Sequence, residues 1–143
     1  MKKLINKKAR FEFAFTDTFE TGIVLRGDEI KAVRLGKISL QGSYCKIIYG
    51  VKRNPELWLV GAHIASTMLD PTRTRKLLVH RHEIEKLAGA TAQKGLTIVP
   101  VKLYFKKGKA KLQIALARGR KTRDKRELIK RRDLEREQKR FSK

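Results

Sequence analysis

A chain whose last 26 residues, Arg118 to Lys143, hold 13 Lys or Arg, 5 Asp or Glu and very few apolar side chains must build its fold from what precedes them. Such a segment cannot bury enough apolar surface to offset the entropy of ordering, so 118–143 reads as a cationic tail with no core of its own. Residues 1–117 therefore carry the folded unit, and their number suits one domain with a real core. The net charge of +22 is too large for the tail alone to account for, so the folded part is basic as well. Charge of one sign at this density repels itself, and a polyanion with closely spaced phosphates relieves that repulsion by counterion release. Nucleic acid is the partner class this balance favours.

Within 1–117, apolar residues fall in short runs with strand periodicity. Phe11, Phe13 and Phe15 alternate with Glu12 and Ala14, predicting a strand, and Thr21 to Arg26 predicts a second. Asp28 offers a cap, and Ile30 and Val33 before Gly36 give a short helix with a glycine stop. Ser43 to Tyr49 and Leu57 to Ala62 form a hairpin around the turn-rich stretch containing Asn54-Pro55. Asp70 to Lys76 reads as an irregular basic loop, with Leu77-Leu78-Val79 leading to a second helix near His82 to Ala88 that ends at Gly89. Thr97 to Phe105 and Ala110 to Ala117 flank a basic hairpin turn, and Pro100 marks an edge or a bulge. The expected fold class is mainly β with short helices, as a closed antiparallel barrel of the oligonucleotide-binding (OB) type, which leaves no sheet edge exposed.

Catalytic and metal chemistry find little material here. Cys45 is the single cysteine, so disulfides and cysteine-based zinc sites within one chain are excluded. His63, His80 and His82 have no acidic or cysteine partners at ligand spacing, and the glycines form neither a P-loop nor a dinucleotide fingerprint. No cofactor, metal or enzymatic activity is expected. No apolar run reaches the length of a membrane span and none follows Met1-Lys2-Lys3, so a cytoplasmic monomer without a signal peptide is expected. Binding chemistry is better supplied: Arg73, Arg75 and Lys76 in the loop, Lys106, Lys107 and Lys109 in the turn, and Arg118, Arg120 and Lys121 beyond the last strand can track phosphates. Tyr44, Tyr104, Phe105 and Phe11 are available for base stacking.

Several ordered blocks make the chain similar to the SsrA-binding protein (small protein B, SmpB) family. They are Asn6-Lys7-Lys8-Ala9-Arg10, Phe19-Glu20-Thr21-Gly22, Glu29-Ile30-Lys31, Asp70-Pro71 with Arg75-Lys76-Leu77-Leu78, Lys102 to Lys106, Ala115 to Gly119, and Asp124-Lys125-Arg126 with Ile129-Lys130. The resemblance implies an RNA-binding adaptor that holds the tRNA-like part of transfer-messenger RNA (tmRNA) and delivers it to stalled ribosomes in trans-translation. It also implies roles residue by residue: Glu20, Leu78 and Lys111 as tmRNA contacts. Lys7 and Arg10 of the basic amino terminus are expected among the RNA-binding cations. The tail residues Asp124, Lys125, Arg126, Ile129, Lys130 and Arg131 are expected to bind the ribosome, disordered when free and helical in the messenger channel near the decoding centre. Asp124 with Glu127 resembles a capping pair, and Glu127 with Arg131 is a favourable i, i+4 pair. Where the family usually has histidine after Ala-Arg this chain has Phe11, so the decoding-centre role of that position is not carried over. The competing expectations are a basic OB-like ribosomal structural or assembly protein and, behind it, an RNA-processing enzyme.

Overall fold

In the last hairpin the sequence dictates both the turn and the register. Lys107 (φ 50°) and Gly108 (φ 75°) both lie in the left-handed region, the conformation of a two-residue turn whose twist matches the strands it joins. That turn sets Lys106 opposite Lys109 and, further along, Tyr104 opposite Lys111. A bulge between Pro100 and Lys102 absorbs the missing proline N–H, as the sequence suggests.

The computed structural model describes residues 4–93, 95–120 and 122–141, with side chains in the last segment described from Lys125 to Arg136. In chain order the elements are β1 (Leu4–Ile5), α1 (Lys7–Glu12), β2 (Phe13–Ile23), α2 (Gly27–Arg34), β3 (Ile38–Ser39), β4 (Tyr44–Tyr49), a 3-10 turn (Val51–Arg53), β5 (Pro55–Val60), β6 (His63–Ile64), β7 (Arg75–Leu78), α3 (Arg81–Thr91), β8 (Leu96–Lys106), β9 (Lys109–Gly119) and α4 (Thr122–Phe141). The protein is mainly β with several short helices. Antiparallel pairings run β8 to β4, β5, β7, β2, β9 and back to β8, a closed circuit, with β1 laid beside β8 and β3 pairing β6 in a separate ribbon. Ile23, Leu57, Leu59, Leu77, Leu103 and Ile114 are among the side chains packed inside it. A smaller cluster outside the circuit joins Ala9 of α1 to Val99, Val101, Ala115 and Ala117, flanked by Phe13 and Phe15.

Four expectations change. Phe11 belongs to α1, started by Asn6, whose Oδ1 accepts from the Ala9 N–H at 3.3 Å, and the two strands expected at Phe11–Phe15 and Thr21–Arg26 are one long strand, β2, with an irregularity between Phe15 and Asp17. The basic loop ends in a strand, β7, because Arg75 turns inward. Gly89 does not stop α3, which runs to Thr91. At α2 the cap is Glu29, accepting from the Arg26 N–H at 2.9 Å, while Asp28 accepts from the Ser66 hydroxyl.

The interior of this end of the molecule is organised by an ion cluster. Arg75 is 0% exposed and Glu29 likewise. Arg75 Nε donates to Glu29 at 2.8 Å, and its Nη atoms donate to the carbonyls of Ala62 (2.9 Å), Arg73 (3.0 Å) and Pro71 (2.9 Å). Arg73 Nε donates to Glu29 at 3.0 Å and its Nη2 to the other oxygen. Burial pushes the Glu29 carboxyl up, but the bonds from Arg73, the Arg26 N–H and Arg75 outweigh it and hold it below its ordinary value. A guanidinium that satisfies this many buried acceptors fixes the 62–75 segment on α2.

The tail segment forms helix α4, whose composition of Arg, Lys, Glu and Leu suits a helix. Ile129 (47%) and Leu134 (59%) remain exposed, and α4 meets α1 where the Arg132 guanidinium lies 5.7 Å from the centre of the Phe11 ring.

Candidate nucleic-acid interface

The outer side of β2, β7, β8 and β9 assembles residues distant in sequence. Alternate residues of a strand share a face. Thr21, Ile23, Leu77 and Leu112 point inward, so Glu20, Gly22, Leu78, Lys111 and Tyr104 point outward. Register places Leu78 opposite Gly22, Gly22 opposite Lys111, and Lys111 opposite Tyr104, one row across four strands. Gly22 leaves the Leu78 side chain in close contact with the strand: a Cβ there would stand 3.4 Å from the Leu78 Cβ, at the near limit of van der Waals contact. An open groove of about 640 Å³ runs over the row, lined by Glu20, Gly22, Leu78, His80, Lys109 and Lys111 among others.

Glu20 is the polar centre of this face. The Tyr104 hydroxyl donates to its Oε2, and Lys106 Nζ lies 3.6 Å from Oε1. The tyrosine bond first, then Lys106 and the nearby charge of Lys111, hold the carboxyl below its ordinary value, so it is ionised at neutral pH. Tyr104 is pushed up to about 12, by partial burial and by that same carboxylate, so it stays a donor. Lys102 Nζ stands 5.7 Å from the centre of its ring. A carboxylate oriented in this way has the chemistry to accept from a base amino group or a ribose hydroxyl, the ammonium groups of Lys109 and Lys111 have that to pair with phosphates, and Leu78, 56% exposed, offers an apolar surface.

Of the site residues expected from sequence, Glu20, Leu78, Lys109 and Lys111 come together here. Lys76 lies on the same outward side of β7, half-exposed, with its Nζ 3.8 Å from Glu56. Arg75 departs from the expectation: it is committed to Glu29 inside the molecule and has no surface to offer a phosphate, while Arg73 is largely engaged by the same carboxylate. Lys7 and Arg10 are exposed on α1, and Arg118 is exposed at the far end of β9, roughly 23 Å along the strand from Lys111 at about 3.3 Å per residue. None of the three lines the groove, and Arg118, alternating with Ala117, points to the other side of the sheet from the one α1 packs on. Lys121 lies outside the described residues, as does the side chain of Asp124. On α4, Arg126, Ile129, Lys130 and Arg131 are exposed and Lys125 is half-buried. Sequence reasoning took Tyr104 as a stacking ring and missed it as the partner of Glu20; counting outward from the Lys107-Gly108 turn would have put it beside Lys111.

Among the described residues no group of three or more His, Cys, Asp or Glu is placed to hold a metal ion, and no helix is long and apolar enough to cross a membrane. Fold and face together define a basic β module with an open, charged groove. The chain belongs to the SmpB family: the family model described as "SmpB protein" matches residues 3–143. It is 45% identical to the SsrA-binding protein of Thermosynechococcus vestitus, over 96% of this chain and 92% of that one, and 49% identical to that of Oleidesulfovibrio alaskensis, over 94% and 88%. Among solved structures, a chain from work described as "tmRNA-SmpB: a journey to the center of the bacterial ribosome" shares 40% identity and superposes with a TM-score of 0.69, covering 85% of this chain and 87% of that one.

Proposed function

We propose that this protein is an RNA-binding adaptor that holds the tRNA-like domain of tmRNA and brings it to stalled ribosomes in trans-translation. The observation that carries the reading is the convergence of Glu20, Leu78 and Lys111, from three strands, on one groove in a chain of the SmpB family. The closed strand circuit is best described as an OB-like barrel, an architecture that binds oligonucleotides on its outer face. It acts by binding, without catalysis or cofactor, as a cytoplasmic monomer. The groove binds RNA, and the tail from Arg118 serves the ribosome.

An isolated helix of this length with few apolar contacts is marginal in water. α4 therefore exchanges with disordered forms in the free protein and becomes fully helical between the RNA walls of the messenger channel, where Lys125, Arg126, Lys130 and Arg131 face phosphates and Ile129 fits an apolar contact. Affinity purification followed by RNA sequencing tests the adaptor reading. Enrichment of one tmRNA supports it, and stoichiometric ribosomal RNA without tmRNA would point to a ribosomal structural protein. Glu20→Ala raises the net charge yet weakens tmRNA binding on this reading; tighter binding would show that only bulk charge attracts the RNA.

A further inference from the structure

The outward face of the sheet continues beyond the groove. β4, β5 and β7 pair in a register that sets Lys46 opposite Trp58 and Trp58 opposite Lys76. The residues between them, Cys45, Leu57, Leu59, Arg75 and Leu77, are buried, so this row faces away from the core. Tyr44 and Ile48, on the same side of β4 as Lys46, are 45% and 40% exposed. Lys52 and Arg53 are exposed at the tip of the β4–β5 hairpin. The acidic residue on this side, Glu56, accepts from the Trp58 indole N–H at 3.3 Å and so fixes the edge of the ring.

An aromatic ring held between two lysines on neighbouring strands, about 5 Å away on each side, supplies what an unpaired nucleotide needs: a π-face for the base and cations for the flanking phosphates. Positive charge around the ring selects a polyanion over an apolar protein surface. The face is also continuous with the groove, because Leu78 lies two residues after Lys76 on β7 and opposite Gly22. One RNA molecule seated in the groove can reach both.

We propose that Lys46, Trp58 and Lys76, with Tyr44, form a second RNA-binding surface that stacks an unpaired segment of the same tmRNA whose folded part occupies the groove. The inference rests on the adaptor reading. Trp58 is the chain's single tryptophan, so its emission reports on this face alone.

Full-length protein is titrated with tmRNA while two signals are followed: anisotropy of the labelled RNA for binding, and tryptophan emission for stacking. Emission is expected to fall in step with saturation. Tyr44→Ala and Trp58→Leu are each expected to weaken binding roughly 5- to 150-fold, the range of one lost base stack. Lys46→Ala is expected to lower the slope of log affinity against log salt by about 0.7, one phosphate contact on a single strand. Tyr44 and Lys46 are surface positions, so they carry the test if Trp58→Leu fails to fold. RNA binding with unchanged emission, together with wild-type affinity in Tyr44→Ala and Lys46→Ala, would overturn the second surface and leave the groove intact. Quenching by small ribosomal subunits but not by tmRNA, or by raising protein concentration alone, would overturn it in favour of ribosomal RNA or of a second copy. Absence of any tmRNA binding would remove the adaptor reading itself and this surface with it.

Discussion

Replacing Arg75 by alanine separates two physical roles that a cation in this stretch can have. The guanidinium is fully buried and donates to one carboxylate and three backbone carbonyls. Its removal takes the side-chain donor from the buried carbonyl of Ala62 and leaves Glu29 with Arg73 and the Arg26 N–H, while the Pro71 carbonyl keeps its bond from the Ile64 N–H at 2.9 Å. Breaking a buried ion pair from one side costs about 3–5 kcal/mol. A small domain has about 5–15 kcal/mol in total. At about 3–4 °C per kcal/mol for a chain of this size, the melting temperature of Arg75→Ala should fall by roughly 10–20 °C in a circular-dichroism melt at neutral pH. RNA binding measured well below the transition should keep the wild-type salt dependence, because no phosphate contact has been lost. The reasoning is refuted if the variant melts within about 2 °C of wild type and its salt slope falls by about one unit, the signature of a phosphate-contacting arginine.

The same cluster makes stability depend on acid. Since the folded state holds the Glu29 carboxyl below its ordinary value of 4.5, its contribution is present above that pH and is lost as pH falls through the lower folded value; Glu29→Gln should lower stability at neutral pH and flatten this acid limb in denaturant titrations at several pH values. Tyr104→Phe removes the hydrogen bond that most lowers the Glu20 pKa, so NMR titration of the Glu20 carboxyl should show its midpoint moving up, with tmRNA binding lost at a higher pH than in wild type. Asn6→Ala removes the bonds to the carbonyls of Leu40 (3.3 Å) and Pro100 (3.0 Å) as well as the α1 cap, and should cost about 1–3 kcal/mol in chemical denaturation. Truncation before Thr122 should leave tmRNA affinity near normal and abolish tagging of nascent chains on stalled ribosomes; a tail scrambled at constant composition should fail almost as badly, and recovery of tagging by the scrambled tail would reduce α4 to a polycation.

Legibility of the fold followed the range of the interactions. The β8–β9 hairpin, its basic turn, the bulge at Pro100 and the helix before Gly36 are written in local residue types, and those were readable. Phe11 misled because the aromatic alternation it shares with Phe13 and Phe15 crosses an element boundary, and the decisive signal, the Asn6 cap, is a single polar residue. β7 was hidden for a different reason. Arg75 has the appearance of a surface cation until Glu29, 46 residues away, is placed against it, and no local pattern reports such a pairing. At the groove, Glu20, Leu78 and Lys111 were legible through resemblance, whereas the Tyr104 bond to Glu20 depends on strand register.

The pairing of β2 with β9 has a bearing on how the protein is made. Thr21 donates its hydroxyl to the Leu112 carbonyl, 91 residues later in the chain. At a synthesis rate of about 5–20 residues per second, β2 emerges roughly 5–18 s before the strand that will cover its edge. During that interval a long strand bearing Phe13, Phe15 and Phe19 has an unpaired row of backbone donors and acceptors, the template for joining another nascent chain. Asp17 and Glu20, with threonines at 16, 18 and 21, interrupt the apolar run and act as gatekeepers while the strand waits. Substituting Asp17 by an apolar residue would therefore be felt first in the yield of soluble protein during rapid expression, before any change in the stability of the finished fold.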